Sequence, residues 1–456
     1  MKHVGLNVAA DPLFAAAYTP VNGALIVISA DDPGMASSQN EQDNRRYAVA
    51  AGLPMVEPSD SQEAYDFFLQ AIALSETWRV PVLYRLTTRV CHSKTLVQRC
   101  PTPPSTARPG KYERNPFERS MIPAHARPAH RRLREKLKQI AALGESSVFN
   151  KIVTGVNDLG IITSGIAYQH VREAAPDASV LKLGLTHPLP VELIRGFASS
   201  VARCIVVEEG DPYLVEGART AGVMVEDKLE QYRFGELNVA RVRRILARDC
   251  SEEPKPAAGK PPALCPGCGH RTAFTALHNV NAIVAGDIGC YGLGVLPPFE
   301  AVDTSLCMGA SFGVGLGLRH SLPPEDAKRV VGVIGDSTFM HSGLTGLAEM
   351  IYNPPSTGFV MVILDNRITA MTGFQEHPGT GRTLDHTHTN RIVIEDVVRA
   401  MGVKSVHVLD HTEDPKAFEE LLRASMEKPE LTVIVARRTC LLVTRLIKEW
   451  EECELQ

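Results

Sequence analysis

An excess of charge of one sign, long apolar runs and a leader-like start are all missing from this sequence, and each absence excludes a class of function. Against 52 acidic residues stand 48 basic ones, a formal net charge of -4, so nothing general draws the chain to nucleic acid or to an anionic membrane. No apolar run reaches the ~18–20 residues needed to span a bilayer. The first residues, MKHVGLNVAADPLF, lack the apolar core of a signal peptide. A cytoplasmic protein without membrane or nucleic-acid partners is expected. Cysteine is also scarce for a disulfide scaffold, with ten in 456 residues. In a reducing compartment such thiols pack, bind metal or carry redox chemistry.

What is present is a globular composition, 44% apolar and 22% charged, in a chain long enough for about three domains. From Gly23, GALIVISADDPG reads as a buried strand ending in acidic residues and a Pro-Gly turn. The helical EAYDFFLQAIALSETW and the strand PVLYRLTT follow. Residues 99–145 change character: prolines and arginines crowd together, and the stretch ends in a charged surface helix, RRLREKLKQIAAL. A second alternating series, residues 146–250, offers LGIITSG, ASVLKLG and CIVVEEG as strands, and SEEPKPAAGKPPA, residues 251–263, has the composition of a linker. The strands of a third unit, residues 264–445, are NAIVAGDIG, RVVGVIGD, GFVMVILDN and LTVIVARR. This alternation predicts an α/β fold of three doubly wound parallel-sheet units. The first, residues 1–98, is expected to be incomplete, because it opens on a helix-like segment with no strand before it.

Chemistry concentrates in GDSTFMHSGLTGLAEMIYNPPSTGFVMVILDN, residues 335–366. One strand ends at Gly335-Asp336-Ser337 and the next at Asp365-Asn366. In a parallel sheet both ends emerge at the carboxyl edge, where ligands bind. A carboxylate and an amide oxygen side by side suit Mg²⁺ carrying a diphosphate, and the amides opening the helix after Ser337 would meet phosphate oxygens. Cys265 and Cys268 in ALCPGCGH admit several readings. Zinc asks for two more ligands at finger spacing, for which His270 and His278 are poorly placed. A thioredoxin-like dithiol sits between a strand and a helix, whereas here a proline-rich linker comes first. An iron–sulfur ligand pair and a packed tight turn are the other two readings.

GDS followed after 28 residues by Asn resembles the thiamine diphosphate motif. The resemblance implies Mg²⁺ held by Asp336, Asn366 and the carbonyl of Ile368, with Gly335 and Ser337 beside the diphosphate. DTSLCMGASFGVGLGL, residues 303–318, resembles the small-residue helix that precedes this motif. Its Met-Gly pair, here Met308 and Gly309, implies a bulky side chain under a bent cofactor. CPGCG followed by GIGC resembles the cluster pattern of 2-oxoacid:ferredoxin oxidoreductases. Cys265, Cys268 and Cys290 are then three thiolates of one [4Fe–4S] cluster, and Cys440, then Cys307, are the candidates for the fourth. With DDPGMASSQNEQDNRRYA, PMVEPSDSQEAYDF and TTRVCHS added, the chain is similar over nearly its whole length to the large subunits of indolepyruvate:ferredoxin oxidoreductases.

That family implies a partial pyrimidine-binding-type domain over residues 1–98 and a transketolase C-terminal-like domain over 146–250. It places a diphosphate-binding domain over 264–445. It implies anaerobic oxidative decarboxylation of indolepyruvate or other aryl pyruvates, in amino-acid catabolism, with coenzyme A taking the acyl group and ferredoxin the electrons. The expected assembly is a dimer of heterodimers with a smaller oxidoreductase subunit. Full-length members carry more at both ends: a stretch before MKHVGLN with the glutamate that activates the aminopyrimidine, and a ferredoxin-like domain after the last strand. The chain is therefore expected to be truncated at both ends, and no catalytic glutamate is assigned within it.

Other residues give weaker signals. Glu41 reads as a solvated helix start. Arg85, Thr87, Thr88 and Arg89 at a strand end either clamp a carboxylate or coenzyme A or form a salt-bridged edge. His377, His386 and His388 follow the Mg²⁺ loop and either cover the diphosphate or, as the preferred reading, face water from a mobile loop, and Glu208 and Glu209 read as a helix cap or subunit contact. Two rival functions follow: a non-redox thiamine-dependent 2-oxoacid decarboxylase with structural cysteines, or a non-catalytic subunit.

Overall fold

The structure, a computed structural model, describes residues 1–100, 114–254, 259 and 261–452. Much of the proline- and arginine-rich stretch and part of the linker at 251–263 lie outside the described residues. The chain divides into two compact units, Met1–Lys255 and Pro256–Gln456.

In the first unit the strands are β1 (Ile26–Asp31), β2 (Met55–Val56), β3 (Val82–Thr87), β4 (Lys151–Val153), β5 (Val156–Ser164), β6 (Ala178–Leu183), β7 (Leu185–His187) and β8 (Arg203–Val207). They make two four-stranded sheets, β1-β3-β2-β7 and β4-β6-β5-β8. Each is parallel apart from one antiparallel edge, β7 and β4 respectively. The chain leaves one sheet and enters the other between β6 and β7, at Gly184. A Cβ there would strike the Phe149 carbonyl oxygen, so the close approach requires glycine. Through β7, the segments expected as separate units, residues 1–98 and 146–250, share a sheet within one compact body. The helix Pro123–Gly144, read as a surface helix, buries Ala129, Leu133 and Ile140, and Leu133 and Ile140 join the core formed by Leu53, Met55, Val82 and Leu83. Its other faces carry the charge, the usual division of an amphipathic helix.

In the second unit β9 (Ile283–Gly286), β10 (Thr304–Ser305), β11 (Val330–Gly335), β12 (Phe359–Asp365), β13 (Ser405–Leu409) and β14 (Leu431–Arg437) form one parallel sheet in the order β10-β9-β11-β12-β14-β13. Every residue of β11 and β12 is buried. Alternate residues feed opposite cores: Val331, Val333, Val360 and Val362 pack with Phe274 and Phe418. Ile334, Met361 and Ile363 pack with Phe312, Leu347 and Val398. Helices thus cover both faces, as a doubly wound sheet requires. β10 and β13 were not expected from the sequence: β10 has two residues, and no residue of β13 is fully buried, so neither carries an apolar run. Among the described residues no helix is long and apolar enough to cross a membrane.

Candidate functional site

After β9 the chain turns to one side of the sheet, to β10, and then returns to lay down β11 on the other side of β9. The carboxyl ends of β9 and β11 therefore border a topological switch point, where open α/β sheets bind ligands. Ile288, Cys290 and Tyr291 after β9, Asp336 after β11 and Asn366 after β12 line one cavity there.

Asp336 stands at its base, buried where β11 passes into a helix. Oδ1 accepts the N–H of Ser337 at 2.8 Å, and Oδ2 accepts the N–H of Arg367 at 2.8 Å. The second bond ties the end of β11 to the loop leaving β12, so Asp336 and Asn366 line one cavity. Burial pushes the Asp336 carboxyl up, His377 acts against the rise and Asp365 adds to it. Asp365 itself is held by Arg437 at 2.6 Å. Asn366 Oδ1 accepts the N–H of Ile368 at 3.2 Å and keeps a second lone pair. Among the described residues no hydrogen bond reaches the Ile368 carbonyl. The Ser337 hydroxyl accepts from Thr369 at 2.8 Å. A Cβ on Gly335 would come within 2.6 Å of the Tyr291 ring, so only glycine lets that ring close the back of the cavity.

The carboxylate, amide oxygen and free carbonyl are hard donors that fit Mg²⁺, which takes one or two carboxylates and completes its shell with water and phosphate oxygens. Met308 is 45% exposed and lines the same cavity. Gly309 follows it with φ +86°, and a Cβ there would strike the Ser342 hydroxyl. The turn is held by Asp287, whose carboxylate accepts the N–H groups of Gly309 at 2.9 Å and Ser311 at 3.1 Å. This caps the glycine-rich helix Ala310–Ser321. Asp287 escaped the sequence reading, although its place at the end of a strand run, beside a Gly-rich turn, was a usable signal.

The expectation that His377 faces water is corrected. Its side chain is buried, and Nε2 lies 3.3 Å from Oδ2 of Asp336, at ion-pair distance but short of hydrogen-bond alignment. The segment after Asn366 folds back onto the strand end it came from, a path that no local pattern encodes. His386 contacts Glu376 at 3.1 Å, and the backbones of Arg382 and His388 form a bridge.

Cys265, Cys268, Cys290 and Cys440 line a second, largely apolar cavity together with Leu264 and Leu442. Cys307 is exposed and does not line it. Cys290 borders both cavities. Burial pushes the Cys290 thiol up to about 11, with Cys268, Cys440 and Cys265 adding to the rise. Burial likewise raises Cys268 and Cys440, again with neighbouring cysteines contributing. A nearby cationic centre would favour the thiolate forms of Cys268, Cys290 and Cys440 against this burial. Among the described residues no three His, Cys, Asp or Glu side chains converge on one metal ion. A [4Fe–4S] cluster asks for something different, one thiolate on each iron and hence wider spacing.

The remaining candidates make contacts within the first unit. Arg85 is buried between Asp31 at 2.6 Å and Glu57 at 3.1 Å, Arg89 pairs with Glu236 at 2.5 Å, and Thr88 donates to Asp32 at 2.7 Å. Thr87 is buried beside them, its hydroxyl without a partner. These contacts form the salt-bridged edge. Glu41 is exposed and accepts the N–H of Gly34 in a loop before the helix Arg45–Ala51. Glu208 accepts the N–H groups of Leu214 at 3.0 Å and Val215 at 3.1 Å, a helix cap.

Burial pushes the Glu209 carboxyl from its ordinary 4.5 up to about 7; Glu236 and Glu57 add to this, and Arg85 and Arg45 oppose it. A raised carboxyl contributes stability below its unfolded value and loses it as pH rises through the folded one. Between pH 4.5 and 7 the parent should therefore lose this contribution. Glu209→Gln should not lose it, and chemical denaturation across that window measures the difference.

Residues 287–436 match the family model described as "Thiamine pyrophosphate enzyme, C-terminal TPP binding domain". This span includes Met308, Asp336, Asn366 and His377. The chain is similar to "Indolepyruvate oxidoreductase subunit IorA" of Archaeoglobus fulgidus, 40% identical over 97% of this chain and 74% of the relative. It is also similar to the protein of the same name from Methanothermobacter thermautotrophicus, 37% identical over 100% of this chain and 78% of the relative. Among solved structures, a 2-oxoglutarate:ferredoxin oxidoreductase from Magnetococcus marinus aligns over 54% of this chain and 52% of its own, with 18% identity and a TM-score of 0.42.

Proposed function

Because this chain belongs to the indolepyruvate oxidoreductase subunit IorA family, we propose that it carries the thiamine diphosphate site of a cytoplasmic 2-oxoacid:ferredoxin oxidoreductase acting on indolepyruvate or other aryl pyruvates. The net reaction takes a 2-oxoacid and coenzyme A to acyl-CoA and CO₂, releasing one proton and two electrons to ferredoxin. A smaller partner subunit completes the assembly.

The observation that carries this reading is the meeting of Asp336 with the loop after Asn366 at the switch point, closed by the 2.8 Å bond from the Arg367 N–H. Asp336, Asn366 and the Ile368 carbonyl would hold Mg²⁺, with Ser337 beside the diphosphate and Met308 against the cofactor's body. Bound thiamine diphosphate supplies the electron sink that decarboxylation of a 2-oxoacid needs. The chain's own residues orient and shield that chemistry: Tyr291 fills the space behind Gly335, and Leu364, Ile368 and Met371 limit water in the cavity.

Electrons leave singly to ferredoxin, which asks for a redox centre beside the cofactor. Cys265, Cys268, Cys290 and Cys440 would hold a [4Fe–4S] cluster, and Cys290, bordering both cavities, supports its placement next to the thiamine site. The test is iron, acid-labile sulfide and zinc per chain after purification without oxygen. About four irons and four sulfides, lost in Cys265→Ser and in Cys440→Ser, are expected. Thiamine diphosphate bound without iron would instead mark a non-redox decarboxylase, and failure to bind either would mark a non-catalytic subunit.

A further inference from the structure

His377 has a ring whose tautomer the structure determines. Its Nδ1 accepts the N–H of Gly379 at 3.2 Å, so in the neutral ring the proton sits on Nε2. Nε2 is buried, makes no aligned hydrogen bond and lies 3.3 Å from Oδ2 of Asp336, within reach of that oxygen after a small ring rotation. With its proton there, Nε2 offers a donor rather than a lone pair to Asp336. The same oxygen accepts the N–H of Arg367. The Arg367 N–H and, ten positions on (377 minus 367), the His377 ring thus face one carboxylate oxygen and close the intervening segment into a loop.

That loop forms a wall of the cavity. Ala370, Met371 and Thr372 line it, and a backbone bridge between Thr369 and Gln375 pinches its neck. Next to His377, the buried Glu376 carboxylate takes Arg382 at 3.0 Å and His386 at 3.1 Å, which anchors the far side. Gly379 is part of the arrangement, because a Cβ there would come within 3.0 Å of the His377 ring.

We propose that His377 is a positioning residue: its Nε2–H, with the Arg367 N–H, fixes the rotamer of Asp336 and tethers residues 367–377 as a wall over the metal and diphosphate. The proposal rests on the reading of Asp336 as a magnesium ligand. Ligating carboxylates are commonly oriented by such outer hydrogen bonds, whose loss costs about 10–100-fold in metal affinity.

The test compares parent, His377→Ala, His377→Gln and Gly379→Ala in the full chain. The first readout is Mg²⁺ affinity at saturating thiamine diphosphate by calorimetry, and the second is hydrogen exchange of residues 367–382 with and without Mg²⁺. His377→Ala should weaken Mg²⁺ about 10–100-fold and speed exchange of the loop even without metal. His377→Gln, whose amide can still donate to Asp336, should recover most of both, and Gly379→Ala, which displaces the ring, should behave like His377→Ala. Parent-like Mg²⁺ affinity and exchange in His377→Ala would overturn the proposal, as would a Gln variant no better than Ala. If His377→Ala does not fold, Gly379→Ala and His377→Gln decide the matter by the same two readouts. A parent that binds no Mg²⁺ with thiamine diphosphate would remove the magnesium reading and this role together. Asp336→Asn losing Mg²⁺ while His377→Ala keeps it would remove this role alone.

Discussion

Asp336→Asn should lower the affinity for thiamine diphosphate at saturating Mg²⁺ by at least about 100-fold, roughly 2.7 kcal/mol, while barely changing the stability of the fold. The asparagine keeps the shape of the side chain but not its charge, and the charge is what a divalent ion bridging to a diphosphate requires. Stability is nearly spared because two effects offset. Burial pushes the Asp336 carboxyl up, so losing the charge relieves a desolvation cost. Against this, one amide N–H₂ must face a backbone donor, either Ser337 or Arg367. The net change should stay within about 1.5 kcal/mol. Calorimetric titration and thermal unfolding of the same samples separate the two quantities. Unchanged cofactor affinity would place the metal elsewhere, and a collapse of stability would make Asp336 a structural residue.

The second large effect belongs to the first unit. Arg45→Met should destabilise it by about 3–5 kcal/mol, the cost of stripping one partner from a buried ion network. Arg45 is 1% exposed. It holds Asp43 at 2.7 Å, Glu208 at 2.5 Å and the carbonyl of Glu209 at 3.0 Å, and it lies 5.0 Å from the centre of the Tyr213 ring. Burial alone would push the Asp43 carboxyl up, yet the Arg45 and Arg85 guanidiniums hold it well below the usual carboxylate range. Methionine fills the space, leaves Asp43 with Arg85 alone at 3.9 Å and strips Glu208 of its ion-pair partner. Its neighbour in sequence is the control: Arg46 pairs with Glu216 at 2.6 Å but is 48% exposed. Arg46→Met should cost less than about 1 kcal/mol. Denaturant unfolding of the two variants compares them directly, and equal losses would refute the burial argument.

How much of this could be read in advance differs from residue to residue. Asp336 and Asn366 were legible because each ends an apolar strand run, and parallel neighbours bring such ends to one edge. Cys265 and Cys268 were legible as a pair from their spacing. That Cys440 rather than Cys307 lines the same cavity depends on how β14 lies beside β12, which no local pattern carries. His377 reads locally as a solvated loop residue, because the contact with Asp336 comes from a fold-back that its neighbours in sequence do not encode. Nothing in the local pattern marks Arg45, since its partner Glu208 lies 163 positions away.

The sequence by itself determined the class of fold, the strands that form the buried sheet of the second unit and the pair of strand ends that makes the candidate metal site. Repeating hydrogen-bond geometry forces apolar residues into runs wherever a strand is buried on both faces, and that periodicity is written locally. Only the tertiary structure decided that the first two expected units share a sheet through β7, that the cysteines line a cavity bordering the switch point, and that a histidine turns inward onto Asp336. Each of these depends on two distant surfaces meeting, and the free energy that selects such a contact arises when both sides lose water together, which neither segment encodes alone.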